Sequence, residues 1–403
     1  MSSQWTERAP WRIDPPAVRW MLRLLSNLAC GRLDLTLPDG RVLTFNGHAP
    51  GPHATLHLGD WRVCSDILQK GDIGLAECYI DGRAGTDDLV SLLLLAARNS
   101  EALEQAVHGR WWATLVYRLR HWLRPNTRAG SRRNIHAHYD LGNPFYALWL
   151  DESMTYSAAL FGGDASRTLA DAQQAKYRRI LRELDVRPGD HILEIGCGWG
   201  GFAEVAAGAG CRVTGITISR EQFDYAQDRL RRAGLQDLVT LQLADYRDIT
   251  GSFDHVVSIE MFEAVGERYW PAFFSTVKAR LKPGGRAVVQ TITIADSKFD
   301  RYRQGTDFIQ QYIFPGGMLP SPRRFDAEVG QAGLVSEARH AFGIDYATTL
   351  NHWHQRFNTV EPVVRAQGFD DRFIRTWRFY LAYCEAGFRT AATDVMQFTL
   401  RHA

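Results

Sequence analysis

At 403 residues, with 45% hydrophobic and 23% charged residues, the chain has the composition of an ordinary soluble protein and enough length for two domains. A formal net charge of +2 argues against a polyanion such as nucleic acid as an overall electrostatic partner. Six cysteines without a CxxC pair argue against a thiolate metal site and suit reduced, mostly buried thiols of a cytoplasmic protein.

The first residues, MSSQWTERAPWRID, hold no apolar signal core. From about residue 31 to 65 the pattern alternates as strands do. RLDLTLPDGRVLTF predicts a hairpin turning at Pro38-Asp39-Gly40, and HATLHLGDWRVC predicts a further strand pair. Helical periodicity follows from Asp87 to Val107 and from Arg110 to Leu123. The longest apolar run, Leu89 to Ala97, is about half of the ~20 residues that span a bilayer, so any membrane contact is expected to be peripheral. Between Tyr117 and Arg133 stand Arg118, Arg120, Arg124, Arg128, Arg132 and Arg133 with no acid, close to Trp111, Trp112 and Trp122. Such a stretch suits an anionic membrane surface, with a solvated linker face as the competing reading. RPNTRAGSRRN breaks all periodicity and places a domain boundary near 125–135, giving a smaller α+β domain over 1–130 and a second domain over 131–403.

Beyond the boundary, strands and helices alternate. A capping sequence at Thr168-Leu-Ala-Asp171 opens a helix to about Leu184. The strand HILEI, the helix GFAEVAA, the strand RVTGITI and the helix REQFDYAQDRLRRAG follow. Next come the strands VTLQLA and HVVSIE, a helix from Glu267 to Leu281, the turn LKPGG and the strand RAVVQTITI. This alternation predicts an α/β fold with a doubly wound, parallel, Rossmann-like sheet.

The turn Gly196-Cys-Gly198-Trp-Gly200-Gly201 sits between a strand and a helix, where backbone must approach a ligand closely. A dinucleotide would require an acid at the tip of the second strand. That strand ends Gly215-Ile-Thr217-Ile-Ser219, without one. The acid lies at Glu194 inside the first strand instead. This placement, with LKPGG before a late strand, favours a cationic nucleoside ligand, S-adenosylmethionine, over a dinucleotide. A merely tight strand-to-helix turn is the bland alternative.

Eight segments in order carry a family resemblance: GDIGLAECYIDG (71–82), HYDLGNPFYALWLDESMTYS (138–157), LEIGCGWGG, GITISREQ, LADYRD, SIEMFEAVG, YIFPGGMLPS (312–321) and YLAYCEAGF (380–388). Over most of its length the sequence resembles the cyclopropane-fatty-acyl-phospholipid synthase family, which includes the mycolic acid cyclopropane synthases. The resemblance implies a Rossmann-like methyltransferase domain, S-adenosylmethionine as cofactor, and an unsaturated phospholipid acyl chain as substrate. It further implies an enzyme peripheral on the inner face of the cytoplasmic membrane, with an N-terminal domain that helps hold lipid and supports a homodimer. Cofactor contacts carried over by position fall on Tyr156, Ser157, Gly196, Gly198, Thr217, Gln222, Asp245 and Tyr246, beside Glu194.

The reaction so implied is attack of the alkene π electrons on the sulfonium methyl, a carbocation, and proton loss with ring closure to a cyclopropane. Such a cation needs a dry site with electron-rich walls. Phe262, Tyr312, Phe314 and Tyr346 are the candidate aromatics, with ordinary core packing as the alternative for Phe262 and Phe314. In the family the base is a bicarbonate held by a Cys, a Glu, a His, an Ile and a Tyr. Here Glu263, Ile292 and Tyr346 match, while the Cys position is Ala158, the His position is Gln290, and the residue after Glu263 is Ala264. Gln290 carries no charge and cannot shuttle a proton as His can. Three routes therefore stay open: weak bicarbonate binding, Glu263 acting directly as base, or a hydride shift giving a methyl-branched or methylene lipid, as on routes to 10-methyl or furan fatty acids. Glu260 is expected to be a strand-end residue satisfied by backbone. A non-catalytic lipid- or cofactor-binding relic and a small-molecule N- or O-methyltransferase are the competing classes. The first is at odds with the intact cofactor residues, the second with the N-terminal domain and basic stretch.

Overall fold

A computed structural model describes residues 15–100, 141–164 and 166–403. They form two compact units, divided within the stretch 101–140. The expected boundary at 125–135, the expected helix from Arg110 to Leu123, the end of the helix expected to run to Val107, and the arginine and tryptophan stretch lie outside the described residues.

In the first unit, β1 (Cys30–Thr36), β2 (Val42–Asn46), β3 (Ala49–Leu58) and the short β4 (Ala84–Gly85) form a sheet of order β2-β1-β3-β4. The hairpin forms as expected: β1 and β2 are antiparallel, and the Leu37 N–H donates to the Arg41 carbonyl across the turn. Alternation puts Leu33, Leu35 and Leu37 in the core. The expected strand pair after it is corrected. HATLHL is β3, which runs parallel to β1, but DWRVC enters α2 (Arg62–Lys70). The reason is local: Asp60 accepts from the Arg62 N–H at 2.7 Å and ties the helix start to Arg83. The helices α1 (Pro16–Leu25), α3 (Asp72–Ile80) and α4 (Leu89–Arg98) complete this unit. Val18, Leu22, Cys78 and Leu92 pack on the sheet leucines.

The second unit begins with α5 (Asn143–Trp149) and α6 (Leu169–Leu184), the latter capped by Thr168 as expected. Then follow β5 (His191–Ile195), α7 (Gly201–Gly208), β6 (Arg212–Thr217), α8 (Arg220–Arg232), β7 (Val239–Leu243), β8 (Phe253–Ile259), α9 (Trp270–Arg280) and β9 (Leu281–Ile294). The remainder is α10 (Asp296–Gln304), α11 (Pro322–Gln331), β10 (Leu334–Ala341), α12 (Gly343–Ala366), α13 (Asp371–Arg389) and β11 (Thr393–His402). The sheet order is β10-β11-β9-β8-β5-β6-β7. Strands β9, β8, β5, β6 and β7 are parallel, as expected; β10 and β11 join antiparallel at one edge.

The central strands are apolar on both faces because helices cover both. Leu193, Val256 and Val289 point into a layer with Phe262, Trp270, Phe274 and Phe325. Their neighbours Ile192, Val257 and Val288 point into the opposite layer with Tyr177, Ile180 and Phe202. This is the doubly wound arrangement. The strand order reverses at β5, which lies between β6 and β8, so a crevice opens beyond their carboxyl ends. The long helices α12 and α13 pack on each other, and Phe145 and Trp149 of α5 meet Trp353, Phe357 and Trp377 from them. Among the described residues, no helix is long and apolar enough to cross a membrane.

Candidate active site

The crevice is a cavity of about 330 Å³, within the range of small-molecule sites. At one end the chain leaves β5 through Gly196 at φ +84°, Gly198 at φ +51° and Gly200 at φ +81°, backbone that side-chain-bearing residues rarely adopt. A Cβ at Gly196 would meet the Met261 side chain at 2.9 Å, whereas the space over Gly198 is open. Glycine is required at the first by both contact and conformation, and at the second by conformation alone.

Glu194 projects into this end from β5 and is buried, and its Oε2 has no hydrogen-bond partner. Burial holds its carboxyl well above the usual range. An orphaned buried carboxyl beside an open glycine backbone fits a ligand that brings a positive charge. Thr217, at the end of β6, donates its hydroxyl to Gln222 Oε1 at 2.9 Å, and Ser219 caps α8 so that Gln222 faces the cavity. After β7, Asp245 is clasped by Arg247 through two side-chain bonds, at 2.8 and 2.6 Å, and Tyr246 packs on Phe273. Burial pushes the Tyr246 hydroxyl up to about 12.

The segment Tyr156-Ser157 crosses the cavity wall, held from behind by α6. Lys176 Nζ donates to Ser157 Oγ at 2.5 Å, and Gln173 Nε2 to the Ser157 carbonyl at 2.9 Å. Tyr156 shares a hydroxyl hydrogen bond of 2.7 Å with Tyr380 and packs against Tyr146, Trp149 and Trp353. Lys176 is fully buried, and burial lowers its ammonium to about 7 despite the nearby Glu260, Asp151 and Glu194. Its signal was in the sequence: Lys176 stands in the apolar stripe of Leu169, Ala172, Ile180 and Leu184, where a solvated lysine has no place.

The other end of the cavity centres on a residue that sequence reasoning set aside. Glu260 follows β8 at φ +48° and is not satisfied by backbone alone, which corrects the expectation. Its Oε1 accepts from the Ala158 N–H at 2.8 Å and from Gln290 Nε2 at 2.7 Å, and its Oε2 from the Tyr346 hydroxyl at 2.7 Å. Gln290 is oriented by Gln397, which pairs with it across β9 and β11 and donates to Gln290 Oε1 at 2.9 Å. Glu263 accepts from the Ile292 N–H through Oε1, and its Oε2 is unpartnered. Burial, and then the charge of Glu260, push Glu263 up to about 8; burial raises Glu260 as well, against its three hydrogen bonds and the Lys176 charge.

The structure thus brings Tyr156, Ser157, Glu194, Gly196, Gly198, Thr217, Gln222, Asp245, Tyr246, Glu263, Ile292 and Tyr346 to one cavity. Ala158 and Gln290 stand behind its wall and act on Glu260, which lines it. Of the aromatic candidates, Phe314 and Tyr346 line the cavity. Phe262 is core, stacked on Trp270, and Tyr312 is partly exposed and stacked on Phe308 away from the cavity. Tyr380 and Phe388 of α13 complete the aromatic wall, which strand and helix alternation does not reveal. Among the described residues no cluster suits a metal ion.

The mycolic acid cyclopropane synthetase family matches residues 126–398. The chain is 39% identical over 384 residues to tuberculostearic acid methyltransferase UfaA1 of Mycobacterium tuberculosis, covering 89% of this chain and 87% of that protein. It is 37% identical over 358 residues to cyclopropane-fatty-acyl-phospholipid synthase of Escherichia coli, covering 88% and 89%. Among solved structures it resembles the cyclopropane synthase MmaA2 of Mycobacterium tuberculosis, with a TM-score of 0.63 at 29% identity over 67% of this chain and 97% of that one. It also resembles the mycolic acid cyclopropane synthase CmaA1 complexed with SAH and CTAB, with a TM-score of 0.62 at 31% identity over 67% and 97%.

Proposed function

Because the chain belongs to the mycolic acid cyclopropane synthetase family and is an S-adenosylmethionine-dependent, lipid-modifying methyltransferase, we propose that it methylates the cis double bond of an unsaturated phospholipid acyl chain. The observation that supports this best is the single cavity, which joins the glycine turn and Glu194 to a buried chamber of Phe314, Tyr346, Tyr380 and Phe388. S-adenosylmethionine supplies the methyl group as an electrophile, and its positive charge matches the orphaned Glu194 carboxyl. Gly198 leaves backbone open to it and Gly196 makes the turn, while Thr217 at the end of β6 and Gln222 in the first turn of α8 stand to position it. The aromatic chamber excludes water and faces the acyl cation with ring π density.

Ring closure to a cyclopropane is the first reading of the product, in keeping with the family. Transfer without ring closure, leaving a methyl or methylene group, is the second. It is favoured by the altered base site around Gln290 and Ala158, and by the 39% identity to a protein named for tuberculostearic acid methylation. Incubation with S-adenosylmethionine and vesicles of cis-monounsaturated phospholipid, followed by proton NMR of the acyl methyl esters, tests both. Upfield ring-methylene signals establish closure, and methyl or exocyclic methylene signals establish the branch. An unmodified acyl chain overturns the substrate assignment.

A membrane substrate calls for peripheral binding on the inner face of the cytoplasmic membrane. The basic stretch from Arg118 to Arg133 would supply it, with the N-terminal domain helping to hold lipid and to form a homodimer. Neutralising Arg118, Arg120 and Arg124 should weaken vesicle binding and leave cofactor affinity unchanged. Unchanged vesicle binding would remove the membrane role from this stretch.

A further inference from the structure

We propose that Glu260 is a built-in replacement for bicarbonate: its carboxylate occupies the oxyanion cradle and accepts the proton that the acyl cation loses. Ala158, Gln290 and Tyr346 are three of the five positions that the family resemblance assigns to a bicarbonate. All three donate here to the Glu260 carboxylate, at 2.8, 2.7 and 2.7 Å. An exogenous oxyanion therefore does not fit, because its donors are taken. The departures at two of the positions now have a reason. Ala158 serves through its backbone N–H, which needs no side chain. Gln290 serves as a neutral donor, and Gln397 fixes its amide in the orientation that points the NH₂ at Glu260.

The backbone bears the same mark. Glu260 sits at φ +48°, a conformation costly for a long side chain and easy for glycine, held by its N–H to the Gln290 carbonyl at 2.8 Å. A strained conformation kept at a site is a reason to look for function there. Lone-pair bookkeeping leaves room for the chemistry. A carboxylate offers about four acceptor positions. Two donors fill Oε1 and one fills half of Oε2, so one lone pair of Oε2 is left at the cavity. Burial raises both carboxyls of the chamber, but three donors and the Lys176 charge oppose it at Glu260 while the Glu260 charge adds to it at Glu263, so Glu260 ionises before Glu263 and is the acceptor.

The step balances, and it rests on the acyl-chain reading above. The alkene π pair forms the new C–C bond to the methyl carbon, and the S–C bond breaks with its pair going to sulfur. Glu260 Oε2 then forms an O–H bond to a proton of the cation. If the proton comes from the new methyl, its C–H pair closes the cyclopropane. If it comes from a carbon next to the cation, the pair becomes a C=C bond. Either way one carboxylate becomes one carboxylic acid.

The test uses the full chain with S-adenosylmethionine and vesicles of cis-monounsaturated phosphatidylglycerol, in buffer freed of carbon dioxide and with bicarbonate added back. The wild type should turn over equally in both. Glu260→Gln fills the same space without a base and should be slower by about 100-fold or more in both. Glu260→Gly suits the backbone and empties the cradle; it should be equally slow without bicarbonate and recover at least about tenfold with it. Both variants should keep wild-type cofactor affinity, which reports an intact fold. A wild type that needs bicarbonate, or a Glu260→Gln variant at wild-type rate, overturns the proposal. Binding of ¹³C-bicarbonate followed by NMR decides the cradle without any turnover: exclusion by the wild type and admission by Glu260→Gly support it, and equal binding by both overturns it. A wild type that methylates no vesicle sinks the acyl-chain reading instead, and the binding measurement still stands.

Discussion

The cavity has a carboxyl from a central strand at each end, and the two differ in the donors around them. Glu194 rises from β5 with an oxygen that nothing satisfies, and burial holds its carboxyl well above the usual range. Glu260 follows the neighbouring strand β8, and three hydrogen bonds oppose the upward push of burial on its carboxyl. A carboxyl left unsatisfied is a place for a ligand's positive charge. A carboxyl solvated by the protein's own donors is a reagent held in position. Proximity to the same sheet end gave both residues access to the cavity; the donors around each decided its part.

Exchanging charge for amide at the first end should have the larger effect on binding. Glu194→Gln should weaken S-adenosylmethionine affinity about 10- to 100-fold, the worth of a charge-assisted hydrogen bond, as read by titration calorimetry. The wild type should also release a proton on binding, because a cation beside Glu194 favours its ionised form. Calorimetry in buffers of different ionisation heat measures this, and Glu194→Gln should lose that release. An unchanged affinity would remove Glu194 from the cofactor end.

The second end should respond in turnover and not in binding. Tyr346→Phe removes the donor to Glu260 Oε2 and should lower kcat about tenfold with cofactor affinity unchanged. A parallel loss of affinity would mean that the two ends are not separate. Gln397→Leu releases the Gln290 amide and should lower kcat by a few-fold, with a larger share of uncyclised product if proton transfer lags behind hydride shift. An unchanged product ratio and rate would show that Gln290 needs no such support.

The last effect is on stability and not on turnover. Glu263 is raised from 4.5 to about 8 by burial and by Glu260. Below pH 4.5 the folded and unfolded chains both hold this proton, and its contribution is fully present. Between pH 4.5 and 8 the unfolded chain loses the proton that the folded chain keeps, so stability falls as pH rises through this window. Glu263→Gln should flatten that fall in denaturant titrations across the window. A slope equal to the wild type would place the effect on other groups.

The same contrast divides what could be read in advance. The glycine turn and Glu194 lie at the end of one strand and in the turn after it, which period and spacing place without knowledge of other elements, and the family resemblance adds Thr217 and Gln222 at the next strand and helix. The donors of Glu260 come from residues 158, 290 and 346, three distant parts of the chain. Gln290 and Ala158 could be seen as departures from a pattern, but not that one carboxylate draws on both. The antiparallel strands β10 and β11 and the helices α12 and α13 were likewise not legible, although Gln397, Tyr346 and Tyr380 reach the site from them.

By itself the sequence determined the doubly wound sheet, the glycine backbone beside β5 and the class of cofactor, because each depends on the period of a strand or the conformation of a few successive residues. Only the tertiary structure decided that the anion cradle is filled from within. That result depends on β8, β9 and β11 lying side by side with α12 above them, which sets Gln397, Gln290, Glu260 and Tyr346 in one hydrogen-bonded chain. A carboxylate's role follows from the donors that surround it, and those donors are gathered by the fold and not by the chain order.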